Sequence, residues 1–139
     1  MLALLPLVPV LGCAPVLTRT HITTLQYGGK ANTPTVRDVD SWLSSVIDFW
    51  SQHYPRKGVE ECLKNWRFIF SDDEKICQMG VCGRALTYSV GSSIIGYRNQ
   101  WGYVEALVGH EAGHAIMNCQ GIPEHKQHEE MARLNYAHR

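Results

Sequence analysis

The 139-residue sequence predicts an α+β fold in which a backing helix packs on a small, twisted, mainly antiparallel sheet of about three strands, followed by two further helices. Three observations lead to this prediction. Apolar residues recur at helical spacing near position 40, short β-branched and aromatic runs occupy the middle of the chain, and two helical patterns close it. A chain of this length is expected to form one domain, which we place at residues 35–139.

The first twelve residues are apolar and uncharged, and a cysteine follows them. Because a helix that spans a bilayer needs about 20 apolar residues, residues 1–12 are predicted to be a signal peptide outside the fold. The sequence Val10-Leu11-Gly12-Cys13 resembles the lipobox of bacterial lipoproteins. The resemblance implies that Cys13 becomes the lipidated N-terminus. Because Ala14 follows it, and not the aspartate that marks inner-membrane retention in such lipoproteins, the resemblance also favours the periplasmic face of the outer membrane.

Residues 13–34 are predicted to be a lipidated tether with little regular structure, because they include Gly28-Gly29 and Asn32. A helix is predicted to follow, from an N-cap at Thr33 or Thr35 to about His53. Its apolar residues have the spacing of a helix that faces a core: Val36, Val39, Leu43, Val46, Ile47 and Trp50.

Three short runs in the middle of the chain predict strands at residues 66–70, 85–90 and 93–97. Ser71-Asp72-Asp73 predicts a turn after the first strand, and Gly91 and Gly96 punctuate the other two. The predicted order is therefore helix, three strands, helix, helix.

The stretch His110-Glu111-Ala112-Gly113-His114 places two histidines four positions apart in a helical pattern. At 3.6 residues per turn they are separated by about 40° around the axis, so both imidazoles can reach one tetrahedral zinc ion. Glu111 lies about 100° from His110, where its carboxylate can act as a general base on a metal-bound water. Gly113, costly inside a helix, predicts a close approach of backbone or ligand.

The segment from Leu107 to Met117 resembles the active-site helix of the zincin metallopeptidases, in which uncharged residues surround the HExxH motif. The resemblance implies that His110 and His114 bind zinc and that Glu111 is the general base. It also implies that the sheet edge near the zinc pairs with extended substrate, for which residues 89–97 are the expected segment. Metzincins would have a further histidine where this chain has Gln120.

The third ligand is predicted from the phase of the last helix. Gly121 suits the end of the histidine helix and Pro123 the start of another, which is expected to run from Glu124 to about His138. At 100° per residue, Lys126, Glu129, Glu130 and Arg133 share one side, whereas His128, Met131 and Asn135 face inward.

His128 is therefore the predicted third ligand, with His125, Glu129 and Glu130 as alternatives. The segment also resembles the helix with which SprT-like and related small zincins supply a third histidine. It departs from that pattern, because Met131 or Ala132 stands where an aromatic residue is usual.

Four cysteines remain after Cys13, and in an oxidising compartment they would form two disulfides. Three connectivities are open, each bridge contributing about 3 kcal/mol. In the cytosol, four buried free thiols would be expected instead. The residues are Cys62, Cys77, Cys82 and Cys119.

These features predict a bacterial or phage-borne lipoprotein that hydrolyses peptide bonds with zinc, as a monomer in the cell envelope acting on a peptide or protein. Thirteen basic residues balance thirteen acidic ones, which argues against a nucleic-acid partner. Two alternatives are a non-catalytic, lipid-anchored binding protein and a deformylase-like amide hydrolase with Cys82 as third ligand. Five residues could stabilise an oxyanion, and none is assigned: Tyr88, Tyr97, Tyr103, Tyr136 and His138.

Overall fold

A computed structural model describes residues 16–28, 34–73, 75–88, 91–96 and 101–136. The predicted signal peptide and Cys13 lie outside the described residues, as do Tyr97 and His138. None of the helices described in these ranges is long and apolar enough to cross a membrane.

Helices and strands are mixed along the described chain, which confirms the α+β class. The elements in chain order are β1 (Val16–Arg19), β2 (Thr24–Tyr27), α1 (Val36–Trp50), α2 (Arg56–Lys64), β3 (Arg67–Ser71), β4 (Ile76–Gln78), β5 (Val81–Gly83), β6 (Ala85–Tyr88), β7 (Ser92–Gly96), α3 (Trp101–Cys119) and α4 (Glu124–Arg133).

The main sheet of the described residues has five strands in the order β1-β2-β3-β7-β6. The pairs β2–β3 and β3–β7 are parallel, whereas β1 and β6 are antiparallel to their neighbours at the two edges. The prediction of a mainly antiparallel sheet of about three strands was therefore wrong. Parallel neighbours need crossover connections, and α1 and α2 provide one of them between β2 and β3.

The prediction of a tether with little structure at residues 13–34 was also wrong, because β1 and β2 lie within it. Leu25 of β2 is fully buried, and the Tyr27 ring stacks on Phe70 of β3 with ring centroids 5.5 Å apart. The Tyr27 hydroxyl donates to the carbonyl of Pro34. These strands are integral to the core, so the folded domain begins before residue 35.

Helix α1 confirms the helix predicted in this part of the chain, although its main contacts are with α3 and α2 and not with the sheet. Thr35 is its N-cap and accepts a hydrogen bond from the backbone N–H of Asp38. The apolar stripe is buried as expected for a helix packed on a core: Val39, Leu43, Val46, Ile47 and Trp50.

Helix α2 and the hairpin of β4 and β5 were not predicted. Helix α2 is nine residues long and carries Gly58, so its sequence has little helical signal beyond its buried residues Val59, Cys62 and Leu63. The hairpin turns at Met79 and Gly80, which both have positive φ, the conformation of a two-residue hairpin turn.

The four cysteines in the described residues form two bridges, Cys62–Cys119 and Cys77–Cys82. The first joins α2 to the last residue of α3, with Cα atoms 5.7 Å apart. The second joins opposite residues of the β4–β5 hairpin. The expected pair of disulfides is confirmed, and one of the three open connectivities is selected.

The turn between α3 and α4 agrees with the prediction, whereas the end of α4 does not. Gly121, with φ of 82°, stands just past α3, and the N–H of Ile122 donates to the carbonyl of Met117. Helix α4 ends at Arg133 and not near His138, because Asn135 takes a left-handed φ of 57° and terminates it in the same way.

Candidate metal centre

Three histidine side chains meet at the junction of α3 and α4. The Nε2 atoms of His110 and His114 are 3.1 Å apart, those of His114 and His128 are 3.0 Å apart, and those of His128 and His110 are 3.3 Å apart. These three histidines lie close enough together to hold a metal ion.

The spacing can be compared with that of a metal site. Two nitrogens bound to one tetrahedral zinc at about 2.0–2.1 Å are about 3.3–3.4 Å apart. The observed separations of 3.0–3.3 Å differ from this by a few tenths of an ångström. The nitrogens therefore fit a single small divalent cation with little movement.

Two helices supply the three histidine rings. His110 and His114 are on successive turns of α3 and are half-buried, whereas His128 comes from α4 and is exposed. The prediction that His128 faces inward is thus correct in part. Its Nε2 atom lies beside those of the other two histidines, but the side chain is exposed. The buried residue of α4 at this level is its neighbour Gln127.

Gln127 fixes the protonation of His114, and sequence reasoning missed it. Its amide nitrogen donates to the side-chain oxygen of Asn118 at 2.6 Å and to the carbonyl of Ile122 at 2.8 Å. Its amide oxygen must therefore accept from Nδ1 of His114, 2.6 Å away. The Nε2 atom of neutral His114 is then left with the lone pair that a metal needs.

Burial lowers the pKa of His114 from its ordinary value of 6.5, and the hydrogen bond that His114 donates to Gln127 opposes that shift only in part. His114 is therefore neutral at neutral pH. Neutral imidazole is the form that binds metals.

Glu111 is buried beside the three histidines. Its Oε2 atom lies 3.9 Å from Nε2 of His110, and its Oε1 atom accepts a hydrogen bond from the hydroxyl of Thr87 at 2.5 Å. Burial raises the pKa of Glu111 from 4.5 to about 7, although the bond from Thr87 acts in the opposite direction. A carboxylate with this pKa can both accept and return a proton near neutral pH.

Gly113 makes room for the segment that follows α4. A Cβ atom at this position would lie 2.6 Å from Cε2 of Tyr136 and 2.9 Å from the terminal methyl of Met131. A close approach is therefore present, but side chains make it and not the backbone or ligand that the sequence predicted. The Tyr136 hydroxyl donates to the carbonyl of Gly109, 2.5 Å away, so this tyrosine ties the chain after α4 to α3.

A cleft of about 650 Å³ opens in front of the three histidines and Glu111. One wall comes from β6 and the neighbouring hairpin, with Leu86, Thr87 and Val81. The other wall comes from α4, with Glu124 and His125.

The alternative ligands lie apart from this group. His125 lines the cleft, Glu129 is exposed, and Glu130 pairs with Arg133 at 2.7 Å. Within the described ranges, none of them joins a cluster of three metal-binding side chains. Cys82, the ligand of the deformylase-like alternative, is bonded to Cys77.

The structure describes the side chains of two of the five residues that could stabilise an oxyanion. Tyr136 is buried and bonded to the carbonyl of Gly109, and burial raises its pKa, so it serves packing. Tyr88 is half-buried at the end of β6. The side chain of Tyr103, like Tyr97 and His138, lies outside the described residues.

No family model matches the chain, and neither a curated protein nor a solved structure matches it. The functional conclusion therefore depends on the geometry and chemistry of the site.

Proposed function

We propose that the protein is a zinc metallopeptidase of the zincin type, with His110, His114 and His128 as ligands and Glu111 as general base. One observation carries the proposal: three Nε2 atoms 3.0–3.3 Å apart, with a carboxylate oxygen 3.9 Å from one of them. Catalytic zinc sites use three protein ligands and leave a further position open.

Zinc is the preferred cation because of the donor set. Three imidazoles suit zinc, copper, iron and nickel, whereas magnesium and calcium prefer oxygen ligands. Of these ions, zinc has no redox chemistry and accepts tetrahedral geometry readily. When bound, zinc would polarise the substrate carbonyl and make a water more acidic.

The remaining chemistry falls to Glu111. Its Oε2 atom faces the histidines and can take a proton from the water that attacks the carbonyl carbon. As the carbon–nitrogen bond breaks, the same oxygen returns that proton to the leaving amine. The carboxylate must exist in two protonation states during one turnover, and in the metal-free site burial raises its pKa from 4.5 to about 7.

The peptide substrate is assigned to the cleft beside β6. In the described part of the chain, β6 is hydrogen-bonded only to β7 and forms an edge of the sheet. An extended peptide can pair with such an edge. The sequence prediction put this role at residues 89–97, but the strand that lines the cleft is β6, Ala85–Tyr88.

We further propose that the chain is a lipoprotein of the bacterial cell envelope, anchored through Cys13. Disulfides persist in oxidising compartments, and the two bridges support an exported protein. A Cys13→Ser variant of the full chain should leave the membrane fraction, whereas an unchanged distribution would contradict lipidation.

The decisive experiment is metal analysis of the purified full chain, followed by digestion of a peptide library. One zinc per chain and hydrolysis that Glu111→Gln abolishes would support the proposal. Zinc binding with no cleavage in the wild-type protein would favour the non-catalytic alternative. Absence of metal binding would refute the function.

A further inference from the structure

A line of hydrogen bonds crosses the sheet and ends at Glu111. The indole Nε1 of Trp66 donates to Oγ of Ser93 at 2.9 Å, and Oγ of Ser93 lies 2.8 Å from Oγ1 of Thr87. Thr87 in turn bonds Oε1 of Glu111 at 2.5 Å. Ser93 and Thr87 are directly opposite each other on β7 and β6, so the strand register creates the middle link.

The direction of these bonds follows from their end groups. An indole N–H can only donate, so Ser93 accepts from Trp66. An ionised carboxylate can only accept, so Thr87 gives its single hydroxyl hydrogen to Glu111. Ser93 must then give its hydrogen to Thr87, and each of the four groups has a partner.

The burial of these groups makes the line costly to leave incomplete. Ser93 is fully buried, and the Trp66 and Glu111 side chains are nearly so. Burying a polar group destabilises the folded protein unless that group is hydrogen-bonded. The Ser93 hydroxyl satisfies the buried indole N–H of Trp66, and the Thr87 hydroxyl connects Ser93 to Glu111.

The line also determines which oxygen of Glu111 is available. Oε1 is held by Thr87, whereas Oε2 lies 3.9 Å from Nε2 of His110, on the side of the three histidines. A glutamate has three rotatable side-chain bonds, and without an anchor it would divide its time among several rotamers.

We propose that Thr87, Ser93 and Trp66 are positioning residues that anchor Glu111 through Oε1 and direct Oε2 at the metal centre. The catalytic consequence rests on the proposed function, whereas the anchoring is a property of the protein without metal. Misplacement of a catalytic group by about 1 Å can cost about 100-fold in rate, so the anchor acts on turnover.

The kinetic test uses Thr87→Val, which keeps the β-branched shape and removes the hydroxyl. We expect kcat to fall about 10- to 100-fold, with KM and zinc affinity each unchanged within about threefold. Thr87→Ser restores the hydroxyl and should recover most of the lost rate. Thr18→Val, on β1 at the opposite edge of the sheet, is the matched control. Equal kcat in Thr87→Val and wild type would overturn the proposal.

A second readout needs neither metal nor activity. In ¹⁵N-labelled, metal-free protein, the indole N–H resonance of Trp66 should shift in Ser93→Ala and, through the intervening hydroxyls, in Thr87→Val and Glu111→Gln. The indole resonance of Trp42, on α1, serves as the internal reference.

The two readouts separate this inference from the proposed function. If no peptide is cleaved but the Trp66 resonance responds to Glu111→Gln, the peptidase proposal fails and the anchoring line stands. If the Trp66 resonance responds to neither Thr87→Val nor Glu111→Gln, the line is refuted, whatever the protein hydrolyses.

Discussion

The amide oxygen of Gln127 lies 2.6 Å from Nδ1 of His114, and no part of the Gln127 side chain is exposed. Its amide nitrogen is held by Asn118 and by the carbonyl of Ile122. One residue of α4 thus determines which nitrogen of a histidine on α3 carries the proton.

Replacing Gln127 with methionine should weaken zinc binding. Methionine has a similar length but accepts no comparable hydrogen bond, so the His114 ring loses its fixed orientation and tautomer. Loss of a partner that orients a metal ligand typically costs about 10- to 100-fold in affinity. Competition with a chromophoric chelator measures the change, and Gln52→Met at an exposed position is the control. Equal affinity in both variants would show that Gln127 serves packing alone.

His128 and His125 can be separated by the same measurement. His128→Ala removes one of three converging nitrogens and should lower zinc affinity by more than the roughly 10- to 100-fold that loss of an orienting partner costs. His125→Ala removes a residue that only lines the cleft, so zinc affinity should stay within about threefold. The reverse ranking would transfer the third position to His125.

Glu111 should make the stability of the metal-free protein depend on pH. Its pKa rises from 4.5 to about 7 on folding, so the folded state binds the proton more tightly than the unfolded state. The resulting stabilisation is complete below the unfolded pKa and is lost as the pH rises through about 7.

Glu111→Gln is neutral at every pH and escapes this loss. Its advantage in free energy of unfolding over wild type should grow by about 2 to 3 kcal/mol between about pH 5 and pH 8. Urea denaturation of both proteins with chelator present measures the difference and cancels the titration of the histidines. A difference that is flat with pH would contradict the shifted pKa.

Gly113→Ala should destabilise the protein. The new methyl group would overlap the Tyr136 ring, which cannot retreat easily because it packs on Phe49 and Trp50 with ring centroids 4.8 and 4.7 Å away. Overpacking of this kind costs about 1–3 kcal/mol. Zinc affinity should fall as well, since α4 and His128 would be displaced.

Gly58→Ala is the matched control for that change. Gly58 lies inside α2, and an added Cβ would meet only the amide nitrogen of Gln120, at 3.8 Å. Alanine there should stabilise the protein by about 0.5–1 kcal/mol. Thermal unfolding measures both variants, and a loss of similar size at the two positions would refute the close-approach argument.

The two disulfides should contribute unequally. The Cys62–Cys119 bridge has a sequence separation of 57, whereas Cys77 and Cys82 are separated by 5. By loop-closure entropy, removing the first pair with alanines should cost about 4 kcal/mol and removing the second about 2 kcal/mol. Guanidinium denaturation tests this order, and equal losses would show that chain entropy does not dominate.

Local patterns predicted much of the helical framework. Helix α1 could be placed because its apolar stripe runs unbroken from an N-cap, and the α3–α4 turn because Gly121 and Pro123 punctuate it. Strands β1 and β2 escaped prediction because each has only four residues, with polar side chains such as Arg19 and Gln26. β2 is stabilised by pairing with the distant strand β3, and β1 by pairing with β2, and no local pattern reveals the first of these pairings.

The candidate site likewise has residues that local patterns predict and residues that they do not. His110, Glu111 and His114 are a local motif, and His128 follows from the phase of α4. Gln127 lies four residues before Met131, so both residues belong to the same buried face of α4. The sequence prediction instead placed the next residue, His128, on that face. Thr87 reaches Glu111 only through the packing of β6 on α3, so tertiary structure was needed to find it.

All three histidines belong to one contiguous pair of helices, and His110 and His128 are only 18 positions apart. The entropic cost of closing a loop rises with its length, so a cation that joins these rings requires little ordering from the rest of the chain. A cation bound by these rings would join α3 to α4 and so favour the packing of the two helices. Metal loading and folding of the C-terminal third are therefore expected to occur together during biogenesis.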